Sequence, residues 1–276
     1  MNPKIAIHET AFVTCAFRAW DDSLSQDVYA KLWPQKKTEE HAKRYAQAVS
    51  EHEPFAHSIR NRYFYQKIDQ LHRSGKVALL INFGCGFSMY PFLMDENLVH
   101  IEIDQPDVIG YKKKKILEWQ SSGKLPRREI HHIASDFNDK NFGELLASIS
   151  SIKKGRPSFI LIEGVLFFIG MDDTERLFEL FNTLQGQGEF IGSVSFTKSL
   201  EETEAFRRLI SFVEGNLEKN QKFHYQTVPH EFYKELHDYE LIDHQDTLSL
   251  AGTYAPQHLL NPNDVLNEHM YLLKKQ

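Results

Sequence analysis

The sequence predicts an α/β fold in which helices cover both faces of a doubly wound, mostly parallel sheet. From residue 77 onward, short apolar runs alternate with segments of helical periodicity. The five runs read VALLINF (77–83), LVHIEID (98–104), IHHIASD (130–136), SFILIEG (158–164) and EFIGSVSF (189–196). Strands that are separated by helices do not pair as tight hairpins, so we expect them to form a parallel sheet.

The segment before the first strand is predicted to be helical. HETAFVTCAFRAW (8–20) and PFAHSIRNRYFYQKIDQLHRSG (54–75) carry apolar residues at mostly helical spacing, and the second pattern ends at Gly75. We therefore expect a helical region over residues 1–75 that packs on a sheet domain over residues 76–276.

Helices and strands are also predicted beyond the fourth strand. Asp172 and Glu175 have the spacing of a capping box, which indicates a helix start before the fifth strand. After that strand, EAFRRLISFVEGNL (204–217) is predicted to be a helix, and EFYKELHDYELIDHQDTLSL (231–250) a helix followed by a strand. EHMYLLKK (268–275) is a candidate final strand. A lobe is expected to be inserted after about residue 197.

Composition excludes several classes of function. The chain of 276 residues has a net charge of −6, which gives no general electrostatic reason to bind nucleic acid. We interpret its one basic run, Lys112–Lys115, as a solvated helix face. No apolar run has the roughly 20 residues needed to span a bilayer, so no membrane contact is expected. Two cysteines cannot form a disulfide framework, and a cytoplasmic location is the simplest expectation.

The residues that end the predicted strands indicate a ligand site, because ligands of open parallel sheets bind beyond the carboxyl ends of the strands. The first strand ends in Gly84-Cys85-Gly86, and the next three end in Asp104, Asp136 and Glu163. Taken alone, the glycines could form a tight strand-to-helix turn and Asp104 could cap a helix before Pro106. Taken together, three carboxylates at one sheet edge favour a ligand, since unpaired buried charges are costly.

The type of nucleotide follows from what the glycine turn lacks. A dinucleotide fingerprint requires a third glycine where this chain has Met89, so NAD(P) is disfavoured. The chain also has no Gly-Lys-Ser/Thr of a phosphate-binding P-loop. S-adenosylmethionine fits better, with one carboxylate for the ribose, one near the adenine amino group and one for the methionine ammonium. Asp104 has the spacing from Gly84 that a ribose-binding acid has.

Several motifs resemble those of the leucine carboxyl methyltransferase-like family, which includes bacterial polyketide carboxyl O-methyltransferases such as the tetracenomycin enzyme. The matching motifs are NFGCGFSMYPF, HIEIDQPDVIGYKKKKI, IASDFND and LIEGVLFFI, preceded by ETAFVTCAFRA and RNRYF. The resemblance covers roughly residues 8–200. It implies the class I, Rossmann-like methyltransferase fold with an N-terminal helical preamble and a helical cap over the acceptor.

The resemblance also implies the residues that bind S-adenosylmethionine and its product S-adenosylhomocysteine. Gly84, Cys85 and Gly86 would pass beneath the methionine part. The ribose would be held by Asp104 with its neighbour Gln105, the adenine by Asp136 with the Phe137 backbone, and the ammonium by Glu163 beside Gly164. The arginine that pairs with the cofactor carboxylate matches Arg60, with Arg62 as the alternative. These two lie about 160° apart on a helix, so we expect only one to face the cofactor.

The resemblance leaves the acceptor open. Ser88 and Phe168 stand where family members carry aspartate and tyrosine, which makes a protein phosphatase an unlikely substrate and leaves a cofactor-binding protein without turnover as an alternative. We predict a small-molecule acceptor with a carboxylate, because a carboxylate is already ionised at pH 7 and needs no general base. His57, His131 and His132 are interpreted as structural. No metal site is expected, and a nicotinamide oxidoreductase is the third hypothesis.

Overall fold

The computed structural model describes residues 7–139, 142–215 and 223–276. Within these residues, four α-helices precede the sheet: α1 (Ile7–Trp20), α2 (Asp22–Ser25), α3 (Lys36–Ala48) and α4 (Glu53–Arg73). Strands and helices then alternate in β1 (Leu79–Phe83), α5 (Tyr90–Leu93), β2 (Val99–Asp104), α6 (Pro106–Ser121), β3 (Ile130–Ala134), α7 (Gly143–Lys153), β4 (Ser158–Ile162), α8 (Met171–Leu184) and β5 (Phe190–Ser195). The remaining elements are α9 (Glu204–Glu214), α10 (His230–Lys234), β6 (Tyr239–Asp246), α11 (Thr247–Tyr254) and β7 (His269–Lys275).

Seven strands form one sheet within the described ranges, in the order β3-β2-β1-β4-β5-β7-β6. The first five pair in parallel, as predicted, and β7 lies antiparallel between β5 and β6. Because β7 runs in the opposite direction, its amino-terminal end lies at the same edge as the carboxyl ends of the parallel strands. Residues 268 and 269 are thereby brought to the edge where a ligand of such a sheet binds.

The sheet is buried on both faces, which explains why its central strands are almost continuously apolar. On one face, residues of α7, α8 and α10 pack in a core with β1 and β4. On the other face, α4 and α11 form a second core. Helix α4 carries Pro54 in its first turn, where a backbone N–H would have no partner within the helix and its absence from proline costs nothing. No helix of the described ranges combines the length and apolar character needed to cross a bilayer.

Three expectations about local structure need correction. Helix α8 begins after Gly170 without a side-chain cap, so the capping box predicted from Asp172 and Glu175 does not form. Residues 247–250, included in a predicted strand, instead open α11, where Asp246 accepts a hydrogen bond from the Ser249 N–H. The helix expected over 204–217 is described to Glu214, and residues 216 and 217 lie outside the described part of the chain.

The basic run on α6 is not uniformly solvated. Lys113 and Lys114 are exposed, as predicted, but the Lys112 side chain is 0% exposed and its Nζ donates to Glu102 Oε1 at 2.7 Å. Burial by itself would raise the pKa of Glu102, yet the Lys112 ammonium and His132 hold it below its ordinary value. The interpretation as a solvated face is therefore wrong for Lys112, which forms a buried ion pair with Glu102 of β2.

One glycine is required by the contact between α4 and the sheet. A Cβ atom on Gly192 in β5 would lie 2.7 Å from Phe64 Cε1 and 2.8 Å from Phe159 Cε1. We expect Gly192→Ala to lower the free energy of unfolding by about 1–3 kcal/mol, because both aromatic rings are buried and cannot move freely. Chemical denaturation measures this change. Gly110→Ala is the control: a Cβ there meets nothing within 4 Å in the middle of α6, so no loss is expected.

Candidate functional site

The turn after β1 carries the two glycines that the sequence singled out. The N–H groups of Gly84 and Cys85 both donate to the Ile103 carbonyl, at 2.8 and 3.0 Å, which ties the turn to β2. Gly84 and Gly86 have φ angles of +70° and +43°. A Cβ atom on Gly84 would lie 2.1 Å from Val165 Cγ2, so only glycine fits at this point. The turn therefore runs directly against the segment that follows β4.

Asp104 closes this turn from the end of β2. Its Oδ2 accepts a hydrogen bond from the Gly86 N–H at 2.7 Å, and its Oδ1 accepts from the Gln105 N–H at 2.8 Å. The side chain is largely buried, and burial raises the pKa of Asp104 above its usual range. A carboxylate has about four lone-pair sites, so both oxygens can still accept a hydroxyl donor such as those of a ribose.

A buried charge cluster lies at the carboxyl end of β4. Arg60 Nε donates to Glu163 Oε1 at 2.6 Å, and Tyr90 Oη donates to Glu163 Oε2 at 3.2 Å. Arg60 also forms an ion pair with Glu268, at the amino-terminal end of β7. One guanidinium thus faces two carboxylates, and Glu268 Oε2 is buried without a hydrogen-bond partner in the described structure. The excess negative charge is suited to a bound cation.

Arg60 and Arg62 lie on different sides of α4, as their spacing predicts. The Arg62 guanidinium lies over the ring of Tyr254, 4.6 Å from its centroid, away from Glu163. Of the two candidates, the structure places only Arg60 with the strand-end carboxylates.

The residues predicted to lie near the adenine are more exposed to solvent than the charge cluster at β4. Asp136 lies two residues after β3, is exposed, and accepts hydrogen bonds from the backbone and side-chain nitrogens of Asn138. The expectation of three buried carboxylates is therefore wrong for Asp136, because β3 is the edge strand. Phe137 is buried against Phe83, with ring centroids 5.9 Å apart. Gly164 has φ +69°, and a Cβ there would meet nothing within 4 Å, which leaves open space beside Glu163.

Two further residues of the turn carry polar side chains. Ser88, which stands where family members carry aspartate, does not cap the following helix, because α5 starts after Met89 without a side-chain cap. Instead, Ser88 Oγ accepts a hydrogen bond from Asn82 Nδ2 at 2.9 Å, which links the turn to β1. Burial raises the pKa of the Cys85 thiol well above its usual range, so this cysteine is not a thiolate nucleophile.

The arrangement fits S-adenosylmethionine. Asp104 offers free lone pairs to a ribose, Glu163 and the unpartnered oxygen of Glu268 offer negative charge to an ammonium, and Arg60 has five donors, of which these contacts use two. Sequence reasoning missed Glu268. Its only signal was a carboxylate directly before the final strand, and nothing local shows that this strand is antiparallel. No cluster of three or more histidine, cysteine or acidic residues suited to a metal occurs among the described residues.

Comparisons with known proteins agree with this fold. A family model described as leucine carboxyl methyltransferase matches residues 10–182. Over 207 residues, the chain is 27% identical to an inferred S-adenosyl-L-methionine-dependent methyltransferase of Mycobacteroides abscessus, and the alignment covers 70% of this chain and 67% of the relative. Further curated relatives from mycobacteria are matched over 33–41% of their own length.

Solved structures confirm the fold prediction. The structure of an inferred methyltransferase from Thermobifida fusca superposes with a TM-score of 0.66 at 11% identity, covering 100% of this chain and 96% of that chain. A duf574 family protein from Streptomyces avermitilis gives a TM-score of 0.63 at 12% identity, with 97% of each chain covered. At these identities the likeness establishes the fold alone. The family model, however, spans well over half of the sequence, and on that basis the chain belongs to the leucine carboxyl methyltransferase family.

Proposed function

We propose that this chain transfers the methyl group of S-adenosylmethionine to an oxygen atom of a small molecule. The curated relatives are named for this methyl donor, which confirms the cofactor predicted from the strand ends. The observation that carries the proposal is the meeting of Arg60, Tyr90, Glu163 and Glu268 beside the Gly84–Gly86 turn. This cluster offers both charges that the amino-acid end of the donor requires.

Each side chain has a distinct role in the proposed reaction. Asp104 accepts the ribose hydroxyls, Glu163 and Glu268 hold the ammonium, and Arg60 pairs with the donor carboxylate. Asp136 and the Phe137 backbone hold the adenine. The donor supplies a methyl group activated by its sulfonium, so the protein mainly has to align the acceptor and exclude water. Alignment of two reactants can contribute about 7–11 kcal/mol.

The oxygen atom that accepts the methyl group could belong to a carboxylate or to a hydroxyl group. The family resemblance favours a carboxylate, such as that of a polyketide-like acid, and this stays a prediction. A buried carboxylate acceptor needs a cation to hold it. Arg18, near the glycine turn, is paired with Asp27 at 3.0 Å, and Arg60 has two carboxylate partners. These pairings support a hydroxyl acceptor better than a carboxylate.

A cofactor-binding protein without turnover was the alternative that Ser88 motivated. Its hydroxyl accepts from Asn82, so the residue keeps a bonding role within the turn. This contact favours an intact site. Release of S-adenosylhomocysteine by the purified protein in a metabolite extract would exclude the inactive alternative.

Asp104→Asn is expected to weaken S-adenosylhomocysteine binding by about 10- to 100-fold. Hydrogen bonds to a charged group contribute about 1.5–3 kcal/mol each, and the substitution removes the charge that holds the ribose. Isothermal calorimetry measures the affinity. Glu129→Gln, at a carboxylate that is 88% exposed before β3, serves as the control and should bind normally. No binding by the unaltered protein would contradict the proposed function, whereas unchanged binding by Asp104→Asn would contradict only this residue's role.

A further inference from the structure

His57 lies one helical turn from the cofactor residue Arg60, on the same face of α4. Residues 53, 57 and 60 are spaced by four and three positions, so their side chains are neighbours on the helix surface. Arg60 already contacts Glu163 at the carboxyl end of β4. One turn of helix advances by about 5.4 Å, so His57 lies close to Arg60 and to the proposed binding site of the cofactor.

The two ring nitrogens of His57 have different surroundings. Nε2 lies 3.5 Å from Glu53 Oε2, whereas Nδ1 is buried with no hydrogen-bond partner among the described residues. The ring packs against Phe17 with centroids 5.5 Å apart, which limits its rotation. A histidine with one nitrogen directed at a carboxyl group and the other free has the arrangement of an oriented general base.

Electrostatics keep this imidazole neutral. Burial, followed by the nearby charges of Arg60 and Arg18, lowers the pKa of His57 well below its usual range. Burial and the charge of Glu268 raise the pKa of Glu53 to about 8. When Nε2 carries the ring proton and donates it toward Glu53, the lone pair is on Nδ1. A cofactor carboxylate on Arg60 would offset one positive charge and strengthen the base.

A cluster of aromatic side chains extends from this dyad to the exposed rings of Phe168 and Tyr225. Tyr45 of α3 is hydrogen bonded to Glu53 and packs edge-on against Phe212, with ring centroids 5.3 Å apart. It belongs to the border of a cluster that includes Phe167, Phe196, Phe206 and Phe223. At the outer end, Phe168 and Tyr225 are 54% and 36% exposed. Aromatic rings stack favourably on planar aromatic molecules, so the outer end of this cluster suits an aromatic acceptor.

We propose that His57, oriented by Glu53, is the general base for methylation of an aromatic hydroxyl. The inference rests on the proposed function and specifies its acceptor. A lone pair of the hydroxyl oxygen forms the new O–CH₃ bond while the S–CH₃ bond of the donor breaks, and the electron pair of that bond stays on sulfur. The hydroxyl proton passes to Nδ1 of His57 and from there to solvent. Atoms and charge therefore balance without a further reactant.

The need for a base follows from acidity. A phenol has a pKa near 10, about three units above neutral pH, so most of it is un-ionised and a poor nucleophile. A positioned base contributes typically about 10²–10⁴-fold to such a step. A carboxylate acceptor has no such requirement, and its methylation would not depend on His57.

The test compares 2-naphthol with 2-naphthoate as acceptors of a radiolabelled methyl group. We expect the protein to methylate 2-naphthol, and His57→Gln to lower that rate at least about 100-fold. Glutamine keeps a donor toward Glu53 but offers no basic nitrogen. The rate of the variant should then rise about tenfold per pH unit as naphtholate forms, whereas the unaltered protein varies little near neutral pH. His72→Gln, on α4 outside the site, is the control and should not change the rate.

A second measurement does not depend on turnover. In the complex with S-adenosylhomocysteine, 2-naphthol should donate a hydrogen bond to Nδ1 of His57 and shift the ¹⁵N resonance of that nitrogen, whereas 2-naphthoate should not. Unchanged S-adenosylhomocysteine affinity in His57→Gln shows that the variant is folded. Methylation of 2-naphthoate alone, or of 2-naphthol at a rate insensitive to His57, would overturn the inference while leaving methyl transfer intact. Failure of 2-naphthol to bind, or binding that leaves this resonance unshifted, would overturn it as well.

Discussion

Arg60→Met is expected to abolish S-adenosylhomocysteine binding and to lower the free energy of unfolding by about 3–5 kcal/mol. The variant leaves Glu163 and Glu268 close together at a buried position without a cation. The loss of folding free energy should become smaller as the pH falls. Burial already raises the pKa of Glu268, and loss of the Arg60 charge, which lowers it, would raise it further, so protonation at low pH removes unpaired charge. Urea unfolding at several pH values and calorimetry measure both effects.

Arg62→Met is the matched control for this prediction. Arg62 is two residues further along α4, and its described contact is a cation–π interaction with Tyr254 that contributes about 0.5–1 kcal/mol at exposed sites. Cofactor binding should be retained. Adding Glu268→Gln to Arg60→Met should recover part of the stability. Equal effects of the two arginine substitutions would mean that the charge cluster does not hold the site together.

Lys112→Met is expected to destabilise the fold by a similar amount, about 3–5 kcal/mol. Methionine has nearly the length of lysine but cannot neutralise Glu102, whose side chain is 1% exposed. The carboxylate would have to remain charged without its cation or take up a proton. Thermal or urea unfolding at neutral pH measures the loss, which should be smaller in acid for the reason given for Arg60.

The adjacent lysine provides the comparison. Lys113 is exposed on the same helix, and substitutions at such surface positions usually change stability by less than about 0.5 kcal/mol. Lys113→Met should therefore unfold like the parent chain. A combined Lys112→Met and Glu102→Leu variant removes both charges and should be more stable than Lys112→Met alone. If it is not, the ion pair is not what stabilises this region.

Much of the fold could be predicted because it follows from local patterns. The alternation of apolar runs with helical segments identified five parallel strands in order, and the glycine turn fell where the first strand ends. Helix starts were less predictable. Asp172 and Ser88 are residue types that cap helices, but whether they do so depends on backbone dihedrals set by the packing of α5 and α8.

The site was predictable only where it lies at strand ends. Asp104, Glu163 and the glycines belong to motifs near their own strands, and Arg60 follows from helical spacing. Glu268 could not be found in this way because its place depends on the direction and insertion of β7. Lys112 was hidden in a run of four lysines, of which one faces inward to Glu102. His57 was interpreted as structural because sequence does not show that Nδ1 lacks a partner.

The insertion of β7 also bears on the order in which this protein folds. Arg60 and Glu268 are 208 positions apart, and their contact forms only when β7 enters between β5 and β6. Contacts between such distant parts of a chain form slowly, because a long loop must close first. During synthesis, the amino-terminal helices and β1–β5 can assemble while Arg60 still has a single carboxylate partner. Cofactor binding should thus be among the last properties that a newly made chain acquires, and it can report complete folding.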